Sequence, residues 1–295
     1  MKRWILTIRL ETTILSFCSI GIGSALAKFM KIFQWDIFFL SSIVAILLQV
    51  ICNLANDYGD FISGVDNFNT SKKPSTIQTG LITLIETKNV LKFLIILALL
   101  FGILLLWISN LCLIEFCLFS FCGIMAIIAA LTYTIGTKPY GYKGLGDLSV
   151  FLFFGIIGVG GTFYLHTKIN TTIWILPAIS YGCLVVTVLN TNNIRDTETD
   201  ANALKVTIPV KIGKTAAIKY QLGLILLSTI LTLVFITLHI KSNWSYLCLV
   251  TAPILISTTM SISNQQPVDM TNTLGKVVFL TFVYSILLIL VLYIN

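Results

Sequence analysis

Acidic residues are scarce in this sequence, with twelve Asp and Glu in 295 positions against nineteen Lys and Arg. Charge of either sign makes up 11% of the chain, where a soluble globular protein carries about 25%. That shortage excludes an ordinary water-facing surface. Histidine is scarcer still, at two residues, and none of the seven cysteines forms a CxxC pair. Zinc-ligand spacing is therefore missing. The cysteines (Cys18, Cys52, Cys112, Cys117, Cys122, Cys183 and Cys248) all fall in apolar stretches. They read as small fillers of helix interfaces, not as a disulfide framework.

What the chain has in abundance is long apolar runs, and 57% of it is hydrophobic. A run of roughly 20 apolar residues spans a bilayer as a helix. Windows of that length fall near 12–33, 36–56, 90–109, 111–134, 147–166, 173–194, 215–238, 243–262 and 275–293. The expected fold is all-α, one polytopic membrane domain over residues 1–295 with nine transmembrane helices and the lipid bilayer as solvent. Lys2 and Arg3 ahead of an apolar stretch ending in Ala25-Leu26-Ala27 imitate a signal peptide. Arg9 and Glu11 interrupt that pattern, so a retained first helix is expected.

The net charge of +7 would suit a nucleic-acid partner, but its distribution argues otherwise. With a cytoplasmic N-terminus, only Lys28, Lys31, Lys168 and Lys241 of the nineteen basic residues face outward. The excess is a positive-inside signal. It predicts a multi-pass protein of the cytoplasmic (inner) membrane, with no nucleic-acid partner and no need of a protein one.

Half of the twelve acids sit in two patches: Asp57, Asp60 and Asp66, then Asp196, Glu198 and Asp200. Ionisable groups at membrane depth are costly, so their concentration at the ends of two spans marks a functional site by default. In NLANDYGD (53–60) the helical spacing puts Asn53, Asp57 and Asp60 on one face, with Gly59 and Gly64 expected to loosen the helix and Asp66 beyond its end. In NTNNIRDTETD (190–200) Asp196 and Asp200 lie one turn apart, with Asn192 a turn earlier. Two carboxylate clusters on neighbouring helix ends repel unless they share a cation. Magnesium, which takes hard oxygens from a few carboxylates plus substrate phosphates, suits them. The expected metal ligands are Asp57 and Asp60 with Asn53, and Asp196 and Asp200 with Asn192. Lys73, Lys138, Lys205 and Arg195 lie near enough in sequence to take the remaining charge of a diphosphate. Glu198 reads as surface.

At these residues the sequence resembles the UbiA-type superfamily of intramembrane aromatic prenyltransferases, and within it the 1,4-dihydroxy-2-naphthoate polyprenyltransferase branch. NLANDYGD with GVD (64–66) is similar to the branch's first aspartate motif, and NTNNIRDTETD followed by Lys205 to its second. KPYGYKGLGDLSVFLFFGIIGVGGTFY (138–164) is similar to its loop and fifth span, and QTGLIT (78–83) to a short helix after the first loop. Two departures stand out. Ser75 occupies the position of a family arginine, whose contact passes to Lys72 or Lys73, and Gly136-Thr137-Lys138-Pro139 replaces a Gly-Pro-x-Pro run.

The resemblance implies a single bundle of nine transmembrane helices around a central cavity. It implies Mg2+-dependent transfer of a polyprenyl group from polyprenyl diphosphate to 1,4-dihydroxy-2-naphthoate with loss of carbon dioxide, a step of menaquinone biosynthesis. Asp60, Asp66 and Asp147 are then the candidates for positioning the aromatic acceptor or taking its proton, and Tyr58, Tyr133 or Tyr140 for steadying an allylic cation. Other acceptors (4-hydroxybenzoate, a haem or chlorin precursor) remain open. A cation transporter would place its acids at mid-bilayer depth, and a mere scaffold would leave them unexplained.

Overall fold

The computed structural model describes residues 2–65 and 74–295, so Asp66, Lys72 and Lys73 lie outside the described residues. Among the described residues every expected span is a helix. A short α1 (Lys2–Ile8) precedes α2 (Leu10–Phe29), α3 (Trp35–Ser63), α4 (Leu84–Ile108) and α5 (Leu113–Thr132). The fifth span is α6 (Gly146–Thr167), wound as a π-helix over Phe151–Gly161. Then come α7 (Ile175–Arg195), the short α8 (Thr197–Asn202) and α9 (Ile208–Ile212), α10 (Lys214–His239), α11 (Asn243–Asn264) and α12 (Met270–Ile294). All nine long helices are long and apolar enough to cross a membrane, and the chain is a multi-pass membrane protein.

The helices divide by what covers them. α2 and α7 are buried over most of their length and form the middle of the molecule. Leu15, Ile22 and Leu26 of α2 pack with Val159 and Phe163 of α6, Tyr181 and Leu184 of α7, Ile225 and Phe235 of α10, and Tyr284 and Leu288 of α12. A separate cluster joins α3 to α4 through Val50, Ile51, Leu54, Leu91 and Ala98. By contrast α5 turns Leu113, Ile114, Leu118 and Phe121 outward, as a lipid-facing helix should. Cys112 and Cys117 share that exposed face, so two of the seven cysteines are not interface fillers.

Lipid tails are as apolar as leucine, so helices in a membrane associate through close packing and shared hydrogen bonds. Both devices are present. A Cβ on Gly23 would strike the Val159 carbonyl, and one on Gly155 would lie 2.6 Å from the Ala178 carbonyl, so α6 approaches both central helices closely. Far from the acids, Ser180, Ser228, Thr232 and Tyr284 form one buried hydroxyl node across α7, α10 and α12.

Two expectations about the first patch change. α3 runs seven residues past the expected boundary at 56, straight through Gly59, and stops only at Gly64 in a left-handed conformation (φ 75°). Gly59 therefore does not loosen the helix. It lets α3 touch the segment after α5, since a Cβ there would sit 2.6 Å from the Thr134 hydroxyl and 2.8 Å from its carbonyl. The second patch behaves oppositely. α7 ends at Arg195, Asp196 caps it, and Asp200 belongs to the separate short helix α8.

Candidate active site

Both acidic patches lie at the same end of the bundle. Asp57 and Asp60 are buried on α3, and Asp196 and Asp200 are buried after α7. Glu198 is exposed, as expected. The two tips are joined by the loop before α6, whose shape follows from its glycines and prolines. Pro139 leads into a tight turn over Tyr140–Lys143, and Gly144 closes it in a left-handed conformation (φ 77°). The Gly141 amide bonds to the Tyr133 carbonyl at 3.1 Å, and the Val206 amide to the Tyr142 carbonyl at 3.1 Å. That turn holds Tyr142 between the patches. Its hydroxyl donates to Asp60 Oδ1 at 2.8 Å, while Lys205 Nζ sits 5.6 Å above its ring and 3.4 Å from Asp200 Oδ1.

Each acid meets a partner of opposite character. Arg9, between α1 and α2, holds Asp57. Arg9 is in a left-handed conformation (φ 49°), a strain that non-glycine residues rarely carry and that gathers at functional sites. Arg195 forks onto Asp196, with Nε to Oδ1 at 2.7 Å and Nη2 to Oδ2 at 2.8 Å, and the same Nη2 reaches Asn192 Oδ1 at 2.8 Å. Burial pushes Asp200 up to about 6, against the pull of Lys205 and with the push of Asp196 and Asp60. Burial alone would lower Lys205, but Asp60 and Asp200 together raise it. One lysine thus feels carboxylates from both tips.

The expected residues fare differently. Lys205 and Arg195 join the site. Lys138 is exposed and pairs with no described acid. Asn53 does not offer itself to a ligand: its amide donates to the Ile8 carbonyl at 2.7 Å and the Thr12 hydroxyl at 3.1 Å, and its oxygen accepts from Gln49 at 3.0 Å. It ties the N-terminal segment to α3 instead. Ser75 bonds with Gln78 in the turn that starts QTGLIT, a capping role. Asp147 is buried at the start of α6 beside Tyr220, and its Oδ2 meets no described donor. Sequence reading assigned no role to Arg9, Tyr142 or Asn56. The available signal for Arg9 was a lone arginine interrupting an apolar run.

No three acidic, His or Cys side chains among the described residues converge on one point. Magnesium does not require that, because it keeps several waters and binds through one or two carboxylates plus substrate phosphates. The oxygens that would serve it are here. Asp200 Oδ2 and Asn56 Oδ1 are buried and meet no described donor, which suits a hard cation. Such an arrangement of paired acids and fork-shaped cations, at the mouth of an apolar bundle, can bind a polyanion through a metal and release it as a leaving group.

The sequence pattern of the UbiA prenyltransferase family matches residues 14–286. The chain is 36% identical to the 1,4-dihydroxy-2-naphthoate octaprenyltransferase of Escherichia coli (strain K12), over 100% of this chain and 96% of that one. It is 38% identical to the enzyme of that description from Haemophilus influenzae, over 97% of this chain and 94% of that one. Among solved structures, a UbiA homologue from Archaeoglobus fulgidus bound to DMAPP and Mg2+ superposes with a TM-score of 0.64 at 15% identity, over 98% and 99% of the two chains. The apo structure of a UbiA homologue from Aeropyrum pernix gives 0.66 at 15% identity, over 95% and 96%.

Proposed function

This chain belongs to the UbiA prenyltransferase family and is a membrane prenyltransferase, and we propose that it moves a polyprenyl group from its diphosphate to 1,4-dihydroxy-2-naphthoate, as in menaquinone biosynthesis. The observation that carries this reading is the chain of contacts from Asp200 through Lys205 to the ring of Tyr142, whose hydroxyl donates to Asp60 on the other acidic tip. It joins into one site two motifs that lie about 140 positions apart. We place the site on the cytoplasmic face of the inner membrane. The support is the excess of basic residues at the end of the bundle that carries Arg9.

The diphosphate is held by Arg9, Arg195 and Lys205, and Mg2+ by Asp57, Asp60, Asp196 and Asp200 with Asn56. When bound, the metal neutralises the charge that grows on the leaving diphosphate as the allylic C–O bond breaks. Arg195, as a planar fork, suits a phosphate better than a lysine would. Tyr133 and Tyr140 meet edge to face at 5.3 Å beside the loop, where their rings steady developing positive charge on the allylic carbon. The apolar bundle below keeps water from capturing it. The naphthoate ring attacks through its carboxyl-bearing carbon and forms the new C–C bond. Its carboxylate leaves as carbon dioxide, and the electron pair returns to the ring. That sequence releases no net proton, so Asp147 need only hold an acceptor hydroxyl through its undonated Oδ2.

The test is mass spectrometry of the product formed by the purified chain from a mixture of prenyl diphosphates, with 1,4-dihydroxy-2-naphthoate and 4-hydroxybenzoate supplied together. A decarboxylated prenyl naphthoquinol that needs Mg2+ is expected. A prenylated hydroxybenzoate as the main product would reassign the acceptor and leave the diphosphate site standing.

A further inference from the structure

We propose that this chain's own cations guard its carboxylates, so that a divalent metal and a diphosphate bind together and neither binds strongly alone. This rests on reading the site as one for a metal-bound prenyl diphosphate. The strongest observation is Arg195. Its fork covers both oxygens of Asp196, and one arm also takes the Asn192 oxygen. Those three atoms are the ones a metal at this end of α7 would use. Arg9 reaches Asp57 Oδ1, and Lys205 reaches Asp200 Oδ1.

A bare metal ion entering this site has to displace these cations, of which Arg195 is buried. Arg195 and Asp196 are each less than a tenth exposed, so the displaced guanidinium would stay buried beside a new divalent charge. Breaking a buried pair and leaving one member uncompensated is strongly unfavourable. A diphosphate entering alone meets the opposite difficulty, since it must share the site with four carboxylates. Together the two ligands cancel both penalties. Arg195, Arg9 and Lys205 turn from carboxylate to phosphate oxygens, which a guanidinium fork fits equally well, and the carboxylates are left to the metal. Asp200 Oδ2 and Asn56 Oδ1 are the oxygens that need no exchange, because no described donor holds them.

The exchange predicts a coupling that must be reciprocal at equilibrium. The full-length chain in nanodiscs is titrated with Mn2+, read by the loss of its free electron paramagnetic resonance signal, with and without saturating inorganic pyrophosphate. For the unmodified chain, pyrophosphate is expected to tighten Mn2+ binding about tenfold or more, and Mn2+ to tighten pyrophosphate equally. In Arg195→Gln the metal alone is expected to bind several times more tightly than in the parent chain, while the coupling shrinks to less than about threefold. Arg9→Gln, which reaches a different carboxylate, moves both quantities the same way and serves if Arg195→Gln does not fold. A merely structural arginine would weaken both ligands on removal. If the parent chain binds metal and pyrophosphate with independent affinities, the exchange is wrong but the site reading stands. If it binds no metal–pyrophosphate complex at any concentration, both are wrong.

Discussion

The Tyr142 hydroxyl donates to Asp60 at 2.8 Å, and this contact fastens the loop before α6 to the acidic end of α3. Ser63 shares the same hydroxyl at 3.0 Å. Tyr142→Phe keeps the ring under Lys205 and removes the hydroxyl's bonds to Asp60 and Ser63. A hydrogen bond to a charged group is worth about 1.5–3 kcal/mol. The catalytic efficiency with prenyl diphosphate is expected to fall about tenfold, with only a modest fall in melting temperature. Steady-state kinetics beside a melting curve separate the two. A large loss of stability with normal turnover would make Tyr142 a packing residue.

Asp57→Asn and Asp196→Asn each remove a carboxylate from one tip while keeping its shape. Both variants also leave a guanidinium, Arg9 or Arg195, without its carboxylate. Magnesium-dependent release of diphosphate is expected to drop on the order of a hundredfold in each. Either variant turning over like the parent chain would remove that tip from the metal site.

The spans were legible because a membrane helix needs only length and apolarity, and nothing else in the chain imitates that. The acids were legible for the same reason, since charge stands out against so apolar a background. What escaped the sequence depends on backbone geometry. Periodicity puts Asn53 beside Asp57 on one face of α3, but cannot say that Ile8 and Thr12 claim its amide first. Gly59 looked like a break because glycine weakens isolated helices. Its neighbour Thr134, which explains it, is 75 positions away. Lys205 stood ahead of Lys138 in sequence because it follows an acidic patch within a few residues. The folded loop gives the physical reason, by turning one to solvent and seating the other on Tyr142.

That contact makes Gly59→Ala a sharp test of packing. The new methyl would meet Thr134 at 2.6–2.8 Å, with both side-chain and backbone atoms in the way. Overpacking of this kind costs about 1–3 kcal/mol. A clear fall in melting temperature is expected, with loss of activity as the α3 tip is displaced. Adding Thr134→Ala should restore only part of it, because the Thr134 carbonyl remains. Full rescue by the double variant would show that the side chain alone sets the approach.

The pH response of the unliganded protein follows from Asp200. Burial lifts its carboxyl from 3.8 to about 6, so between those values the folded chain binds more protons than the unfolded one. Stability then falls as pH rises through that window and levels off above about 6. Metal-dependent activity needs the ionised carboxylate and should move the opposite way, declining as pH drops below 6. Melting curves and initial rates from pH 4.5 to 7.5 test both signs at once. Asp200→Asn is expected to flatten the stability profile in that range. An unchanged profile in the variant would assign the titration to another group.

The hydroxyl node at the far side of the bundle provides the matching control. Tyr284 reaches Ser180 at 2.8 Å and Thr232 at 2.6 Å, with no acidic residue in the node. Hydrogen bonds between membrane helices are worth about 0.6 kcal/mol on average and up to about 1.7. Three helices share this one, and Ser180 also holds Ser228, so Tyr284→Phe removes a donor without emptying the node. A modest fall in melting temperature is expected, with metal and pyrophosphate affinities unchanged, because the node fixes α7 against α10 and α12 and touches neither acidic tip. If Tyr284→Phe altered metal binding, the tilt of α7 set at Ser180 would have to reach Asp196, and the two ends of that helix would be mechanically coupled.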